Sequence, residues 1–267
     1  MFMVNGVYAD SISLTDRSFQ YGDGCFTTML TREGEICRWP LHVARMNACL
    51  DTLRIPRPDW NEVEGWLKQM ARSDNKAGLK LHISRGEGGR GYSPTQVTSP
   101  NVTISDFIYP AHYEQWQQQG LVLGVCDLRL GHNPLLAGHK HNNRLEQILL
   151  KAELEQRSFA DGIALDIEGN VIETTMANLF WFKDSTLFTP VLDKAGVSGV
   201  IRRDVLEWAA IQGISTQIGE FKLAEVMEAD EVFVTNSILG VAPIRAISSH
   251  QFDIGNTTKR IQEMIES

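Results

Sequence analysis

The chain has 267 residues, 43% of them hydrophobic and 22% charged, with a formal net charge of −8. That length bounds one or two domains, and the acidic balance excludes a general nucleic-acid or membrane-surface binder, which needs a basic face. An anionic ligand must therefore find arginine or lysine nearby, within a Debye length of about 8 Å. The four cysteines, Cys25, Cys37, Cys49 and Cys126, form no CxxC and no zinc-finger spacing with histidine, so no structural metal is expected. No apolar run nears the roughly 20 residues of a membrane helix. The first residues offer neither a charged n-region nor a long apolar stretch, so a reduced, cytoplasmic protein is the expectation.

The first third reads as strands and two helices. CFTTMLTR and EICRW are extended runs around a Glu33-Gly34 hairpin turn. Pro40 opens a helix in which Val43, Met46, Leu50 and Leu53 recur at helical spacing. A second helix starts from Asp59, with Trp60, Val63, Leu67 and Met70 on one face. LKLHIS and NVTISDFIY read as strands flanking a glycine-rich turn. The polar stretch YPAHYEQWQQQG, with Pro110 and Gly120, reads as a linker. The expected division is therefore an N-terminal lobe over 1–109, a linker over 110–118 and a C-terminal lobe over 119–267.

The second lobe opens with the strand LVLGVCDLRL and an irregular loop, GHNPLLAGHK. A helix follows, with Leu145, Ile148, Leu149 and Ala152 expected to face inward. IALDIEGNVIETTMANLFWF and TLFTPV alternate enough for antiparallel strands, GVIRRDVLEWAAIQG for a helix, and EVFVTNSILGVAPIRAIS returns to strand. Hairpins with segregated helices imply an α+β chain of two lobes, mixed sheets with packed helices, and a cleft as the default site.

Two patterns look chemical but mark neither a dinucleotide site nor a metal site. Gly86-Glu87-Gly88-Gly89-Arg90-Gly91 satisfies G-x-G-x-x-G, but a dinucleotide site needs a helix to begin there, and YSPTQVTSP follows instead. The turn either is plain or presents Arg85, Arg90 and Tyr92 to a carboxylate. His132, His139 and His141 suggest a metal, yet no cysteine or carboxylate nearby in sequence completes a set, so hydrogen-bonded or solvent-facing imidazoles are expected.

Lys140 sits between two histidines, after a Gly/Pro-containing loop and before a helix. A Schiff-base lysine in such a place must be partly desolvated to become nucleophilic. The segment after it carries more information. ETTMANLF, then LFT, then PVLDKAGVSGVIR place Glu173, Thr175, Asn178, Phe180, Thr189, Gly199, Val200 and Arg202 at the spacing of a family signature. The chain resembles the class-IV aminotransferases, the fold-type-IV pyridoxal-phosphate enzymes, with a fold like that of D-amino-acid and branched-chain aminotransferases. QYGDGCFTT, HVARM and FVTNSILGVAPI extend the likeness over nearly the whole chain.

The resemblance implies pyridoxal 5'-phosphate as cofactor, with Lys140 linked to its aldehyde and Glu173 against its pyridine nitrogen. Arg45, the backbone N–H groups of Val200 and Ile201, and Asn236 and Ser237 would hold its phosphate. Arg90 and Tyr92 match a carboxylate-binding position, suiting a small dicarboxylate substrate. CFTT, RGEGGRGY and GHNPLLAGHKHNNRLEQ are similar to members that convert 4-amino-4-deoxychorismate to 4-aminobenzoate and pyruvate. For these, Thr28 is the expected proton relay and Thr27 the alternative, because adjacent strand residues face opposite ways. D-amino-acid or branched-chain transamination is the rival activity. A homodimer is implied by the family alone.

Overall fold

The computed structural model describes residues 1–97 and 99–266. The chain divides into two compact units with the boundary after Tyr109, and a short later segment is grouped with the first. The first unit holds residues 1–109 together with His139–Asn143; the second holds Pro110–Gly138 and Arg144 onward.

The first unit contains β1 (Phe2–Val4), β2 (Val7–Tyr8), α1 (Arg17–Tyr21), β3 (Gly24–Arg32), β4 (Glu35–Ile36), α2 (Trp39–Leu53), α3 (Trp60–Met70), β5 (Ala77–Ser84) and β6 (Asn101–Ile108). Its antiparallel sheet runs β2-β1-β6-β5-β3-β4. The β3–β4 hairpin turns on Glu33 and Gly34, both at positive φ (51° and 89°), a pair of values that suits a tight two-residue turn. Asp59 caps α3 by accepting from the Asn61 N–H at 2.8 Å, and Val63, Leu67 and Met70 are buried as their spacing requires. On α2 the buried stripe is His42, Met46, Cys49 and Leu50. Strand alternation divides β3 cleanly. Cys25, Thr27 and Met29 are fully buried within the unit's core, together with Leu79, Leu81 and Ile83 of β5, while Phe26 and Thr28 point the other way.

The second unit contains α4 (His112–Gln119), β7 (Leu121–Leu130), α5 (Leu145–Gln156), β8 (Asp161–Asp166), β9 (Val171–Thr174), β10 (Asn178–Lys183), β11 (Thr186–Pro190), α6 (Val200–Ile211), β12 (Thr216–Gly219), α7 (Leu223–Met227), β13 (Glu231–Asn236), β14 (Gly240–Ile247), β15 (His250–Gln251) and α8 (Asn256–Glu266). Its mixed sheet runs β12-β11-β10-β13-β14-β7-β8-β9, with β15 on β14. The α+β class with two sheets is as expected. Among the described residues no helix is long and apolar enough to cross a membrane.

Three expectations are corrected. The linker over 110–118 is largely helix α4. Glutamine is a good helix former, and Tyr113 and Trp116 pack against the second unit's core. Lys140 belongs to the first unit, because its segment pairs with β3. Helix α5 buries Leu150 and Leu154; Leu145, Ile148 and Leu149 are exposed, and Ala152 is exposed with them. The reason lies in two glycines. A Cβ at Gly124 or Gly162 would come within 2.8 or 2.6 Å of a Leu154 methyl, so these two residues leave the space that Leu154 fills. Leu154→Ala should therefore lower the unfolding free energy by about 2–5 kcal/mol, read from urea denaturation; a loss well under 1 kcal/mol would return the buried face to Leu149.

Candidate active site

Two backbone hydrogen bonds place Lys140. The Phe26 N–H donates to the Lys140 carbonyl at 3.0 Å, and the Asn142 N–H donates to the Gly24 carbonyl at 2.9 Å. Cys25 and His141 form an antiparallel bridge between them. The lysine segment thus covers the Gly24–Phe26 end of an edge whose other end, Thr31–Arg32, is covered by β4. Paired residues point to the same face, so Lys140 joins Phe26, and its Nζ lies 4.7 Å from the Phe26 ring centroid. Lys80, opposite Thr28 in register, sets its Nζ 4.8 Å from the same ring. The His82 ring lies tilted against that of Phe26, with centroids 5.1 Å apart. Lys140, Phe26, Thr28, Lys80 and His82 therefore share one face.

Arg45 lies on the other face. Its Nη2 donates to the Thr27 hydroxyl, and Thr27 lies 2.7 Å from Nδ1 of buried His42. Thr27 is thus engaged toward α2, and of the two candidate hydroxyls it is Thr28 that shares the Lys140 face. Arg45 Nε has no hydrogen-bond partner, and burial pushes the guanidinium down to about 10, with no carboxylate among the groups acting on it. A buried, incompletely satisfied cation of this kind suits an anion such as a phosphate.

In the second unit the signature residues form one hydrogen-bonded cluster. Glu173 Oε2 accepts from the Val197 N–H at 2.9 Å and from Asn178 Nδ2 at 3.4 Å. Asn178 also donates to the Val197 carbonyl at 2.8 Å and accepts from the Gly199 N–H at 3.1 Å. A Cβ on Gly199 would fall 2.1 Å from Asn178 Oδ1, so any side chain there would displace the Asn178 amide from its hydrogen bonds. The loop so held opens α6. Gly199, as N-cap, provides no side-chain cap, leaving the first-turn N–H groups of Val200 and Ile201 to receive an anion. Arg202 instead donates to the Pro190 carbonyl at 3.0 Å, Thr189 to the Leu179 carbonyl at 2.9 Å, and Phe180 stacks on Phe233 at 5.1 Å. These three are framework.

Other expected residues divide. Asn236 Oδ1 accepts from the N–H groups of Ile238 and Leu239, at 2.9 and 2.7 Å, so its side chain closes a turn; the Ser237 hydroxyl is uncommitted among the described residues. Arg85 is consumed internally, donating to Asp23 and to the carbonyls of Leu53 and Arg54. Arg90 and Tyr92 are exposed on the glycine-rich loop. His132 Nε2 donates to the Asp166 carboxylate at 2.9 Å. With Glu168 they make a possible metal cluster, yet Asp166 already accepts from the backbone N–H groups of Glu168 and Asn170 and from Asn170 Nδ2.

Sequence reasoning missed Lys80, His82, His42 and Asp161. The alternation in LKLHIS carried the first two, since it sends Leu79, Leu81 and Ile83 inward and Lys80 and His82 to the opposite face. Asp161, fully buried, accepts from the Thr175 N–H and hydroxyl at 3.0 and 2.6 Å, which fixes the turn before Asn178.

The chain belongs to the class IV aminotransferase family, whose model matches residues 24–247. It is 54% identical to the aminodeoxychorismate lyase of Vibrio harveyi, over 98% of both chains. A solved 4-amino-4-deoxychorismate lyase from Pseudomonas aeruginosa superposes with a TM-score of 0.93 at 38% identity, covering 100% of this chain and 98% of that one. The branched-chain-amino-acid aminotransferase of Escherichia coli is 27% identical over 83% of this chain and 75% of its own.

Burial pushes His42 well below its ordinary value of 6.5, with Arg45 adding to the effect, and pushes His82 to about 4. In the unfolded chain both take up a proton near pH 6.5; folded, they resist it. Stability should fall as pH drops from about 6.5 toward 4. A His82→Gln variant should show a shallower fall over that window in thermal melts; an equally steep one would refute the assignment.

Proposed function

We propose that the chain is a pyridoxal-phosphate-dependent lyase that converts 4-amino-4-deoxychorismate into 4-aminobenzoate and pyruvate. The observation that carries the substrate is the 54% identity to the Vibrio lyase over 98% of each chain. The cofactor rests on this chain's own residues. In the first unit Arg45 suits a phosphate and Lys140 is the amine; in the second, taken by itself, the open α6 N-terminus at Val200 and Ile201 and Ser237 suit a phosphate, and Glu173 suits a protonated ring nitrogen. Asn236 contributes by shaping the turn that presents Ser237.

The bound cofactor supplies an aldehyde for the substrate amine and a ring that accepts an electron pair. The Lys140 amine would serve as the general base for the proton on ring carbon C4 of the substrate. Loss of that proton and of the C3–O bond leaves the aromatic product and enolpyruvate. Thr28, on the same face as Lys140, relays a proton to the enolpyruvate methylene carbon, giving pyruvate. The C4 proton and the methyl proton balance, so no amino acceptor or oxidant is needed. Lys80, held below its ordinary value by burial, is a second cation on that face for a dicarboxylate. Arg90 and Tyr92 provide the other carboxylate contact.

The deciding assay follows 4-aminobenzoate and pyruvate from aminodeoxychorismate. Lys140→Ala should abolish both products. Thr28→Val should slow pyruvate release by about 10²–10⁴-fold while still loading cofactor. Arg45→Met should weaken cofactor binding by about 10–100-fold. Rapid exchange between amino and keto acids, with little 4-aminobenzoate, would establish transamination instead.

The working unit on this reading is a homodimer. Leu145, Ile148 and Leu149 of α5 are exposed, as is Leu135 before it, an apolar face uncommon on a solitary acidic protein. Sedimentation equilibrium should give twice the chain mass, and Leu149→Glu should shift it toward the monomer. A monomeric parent protein would end the proposal.

A further inference from the structure

Within the glycine-rich loop the main chain bonds to itself from the Ser93 N–H to the Arg90 carbonyl at 3.2 Å and from the Val97 N–H to the Pro94 carbonyl at 3.3 Å. Gly86, Gly88, Gly89 and Gly91 all lie at positive φ, between 56° and 110°, and among the described residues the loop that carries Arg90 and Tyr92 has no helix or strand. The side chain that makes the most bonds to it from outside is Arg17, which is buried, at 3% exposure. Arg17 Nε donates to Asp23 Oδ2 at 2.8 Å. Nη1 donates to the carbonyls of Gly91 at 3.1 Å and of Gly88 and Ser93 at 3.4 Å; Nη2 donates to the Tyr92 carbonyl at 3.3 Å. Only the planar five-donor fork of arginine can serve a carboxylate and several converging carbonyls at once.

The contact continues through rings. The Arg17 guanidinium lies 5.0 Å from the Tyr21 ring centroid, and Tyr21 meets Tyr92 edge-on at 5.6 Å. Backbone bonds add two ties, from the Arg17 N–H to the Gly86 carbonyl at 2.9 Å and from the Gly88 N–H to the Thr15 carbonyl at 3.4 Å. Gly89 leaves space for the fork, since a Cβ there would stand 2.8 Å from Arg17 Nη1. Asp23 is shared with Arg85, which anchors the same carboxylate to the end of α2 through the Leu53 and Arg54 carbonyls.

We infer that Arg17 is a positioning residue for substrate binding: it holds the loop backbone on both sides of Arg90, and so sets where Arg90 and Tyr92 meet a substrate carboxylate. The inference rests on the substrate role proposed above for those two residues. Arg17 itself touches no reacting atom. Its loss should act on substrate affinity and leave cofactor loading alone.

Two measurements test this separately. The first needs no activity. Trypsin cleavage after Arg90, followed by mass spectrometry on the cofactor-loaded protein, should quicken about tenfold or more in Arg17→Met, because a released loop reaches the protease more often. Arg17→Lys keeps a charge beside Asp23 but loses the fork, and should give an intermediate rate; it also serves if Arg17→Met does not fold. Unchanged cleavage after Arg90 in a folded variant would overturn the hold on the loop. The second is kinetic, with aminodeoxychorismate. Arg17→Met should raise KM about tenfold with kcat close to the parent, cofactor absorbance should be unchanged, and adding Arg17→Met to Arg90→Ala should raise KM little further. Additive effects, or loss of kcat with KM unchanged, would overturn the positioning role. If Arg90→Ala leaves KM unaltered, the substrate reading of the loop is what fails, and the trypsin result still decides whether Arg17 holds it.

Discussion

The pairing of residues 140–142 with the start of β3 is the contact on which the first unit's chemistry depends. It is made by main-chain groups, so it fixes register as well as position. A slip of one residue would send Lys140 into the core with Cys25 and Thr27 and bring a histidine out in its place. Gly24 protects the register from below. A Cβ there would strike the Ile83 carbonyl at 2.2 Å and the Asn142 amide at 2.7 Å, so any larger residue pushes apart the strands that carry the lysine. From this one register follow the approach of Lys140 to Phe26, the company of Lys80 and His82, and the choice of Thr28 over Thr27.

The second unit solves a different problem. An anion site at a helix N-terminus needs N–H groups aimed outward from a loop that cannot drift. Glu173 and Asn178 supply that rigidity with side-chain bonds to Val197 and Gly199, and Asp161 steadies the turn between them through Thr175. Asp161 is a buried carboxylate that burial drives upward against the hydrogen bonds of Thr174 and Thr175. Such a group is costly, and it is tolerated where a fixed turn is required. The signature is therefore chiefly a framework of polar bonds around a few groups that face the cofactor.

This explains what was legible in the sequence. Residues whose type is dictated by a single hydrogen bond or by the absence of a Cβ, such as Asn178 and Gly199, stand at fixed spacings and can be read. The buried face of α3 was readable because its opposite face is polar. Helix α5 was not, since its sequence is apolar on two sides and the choice was made by glycines on β7 and β8, far away in the chain. Arg17 and His42 were unreadable for another reason. A buried arginine and a surface arginine look alike until the carbonyls around them are known. Lys140 groups with the first unit because two backbone hydrogen bonds to β3 hold its segment there.

The path of the chain between the units has its own consequence. The backbone leaves the first unit after Tyr109, returns for His139–Asn143, and leaves again. No single cut yields two contiguous pieces that each keep their own residues. A piece ending at Tyr109 lacks the strand that closes the β3 edge, and a piece beginning at Pro110 carries the lysine without the sheet that orients it. The five-residue excursion thus ties the inheritance of the two units together: neither can be exchanged for a foreign module by simple fusion, because the lysine would travel with the wrong partner.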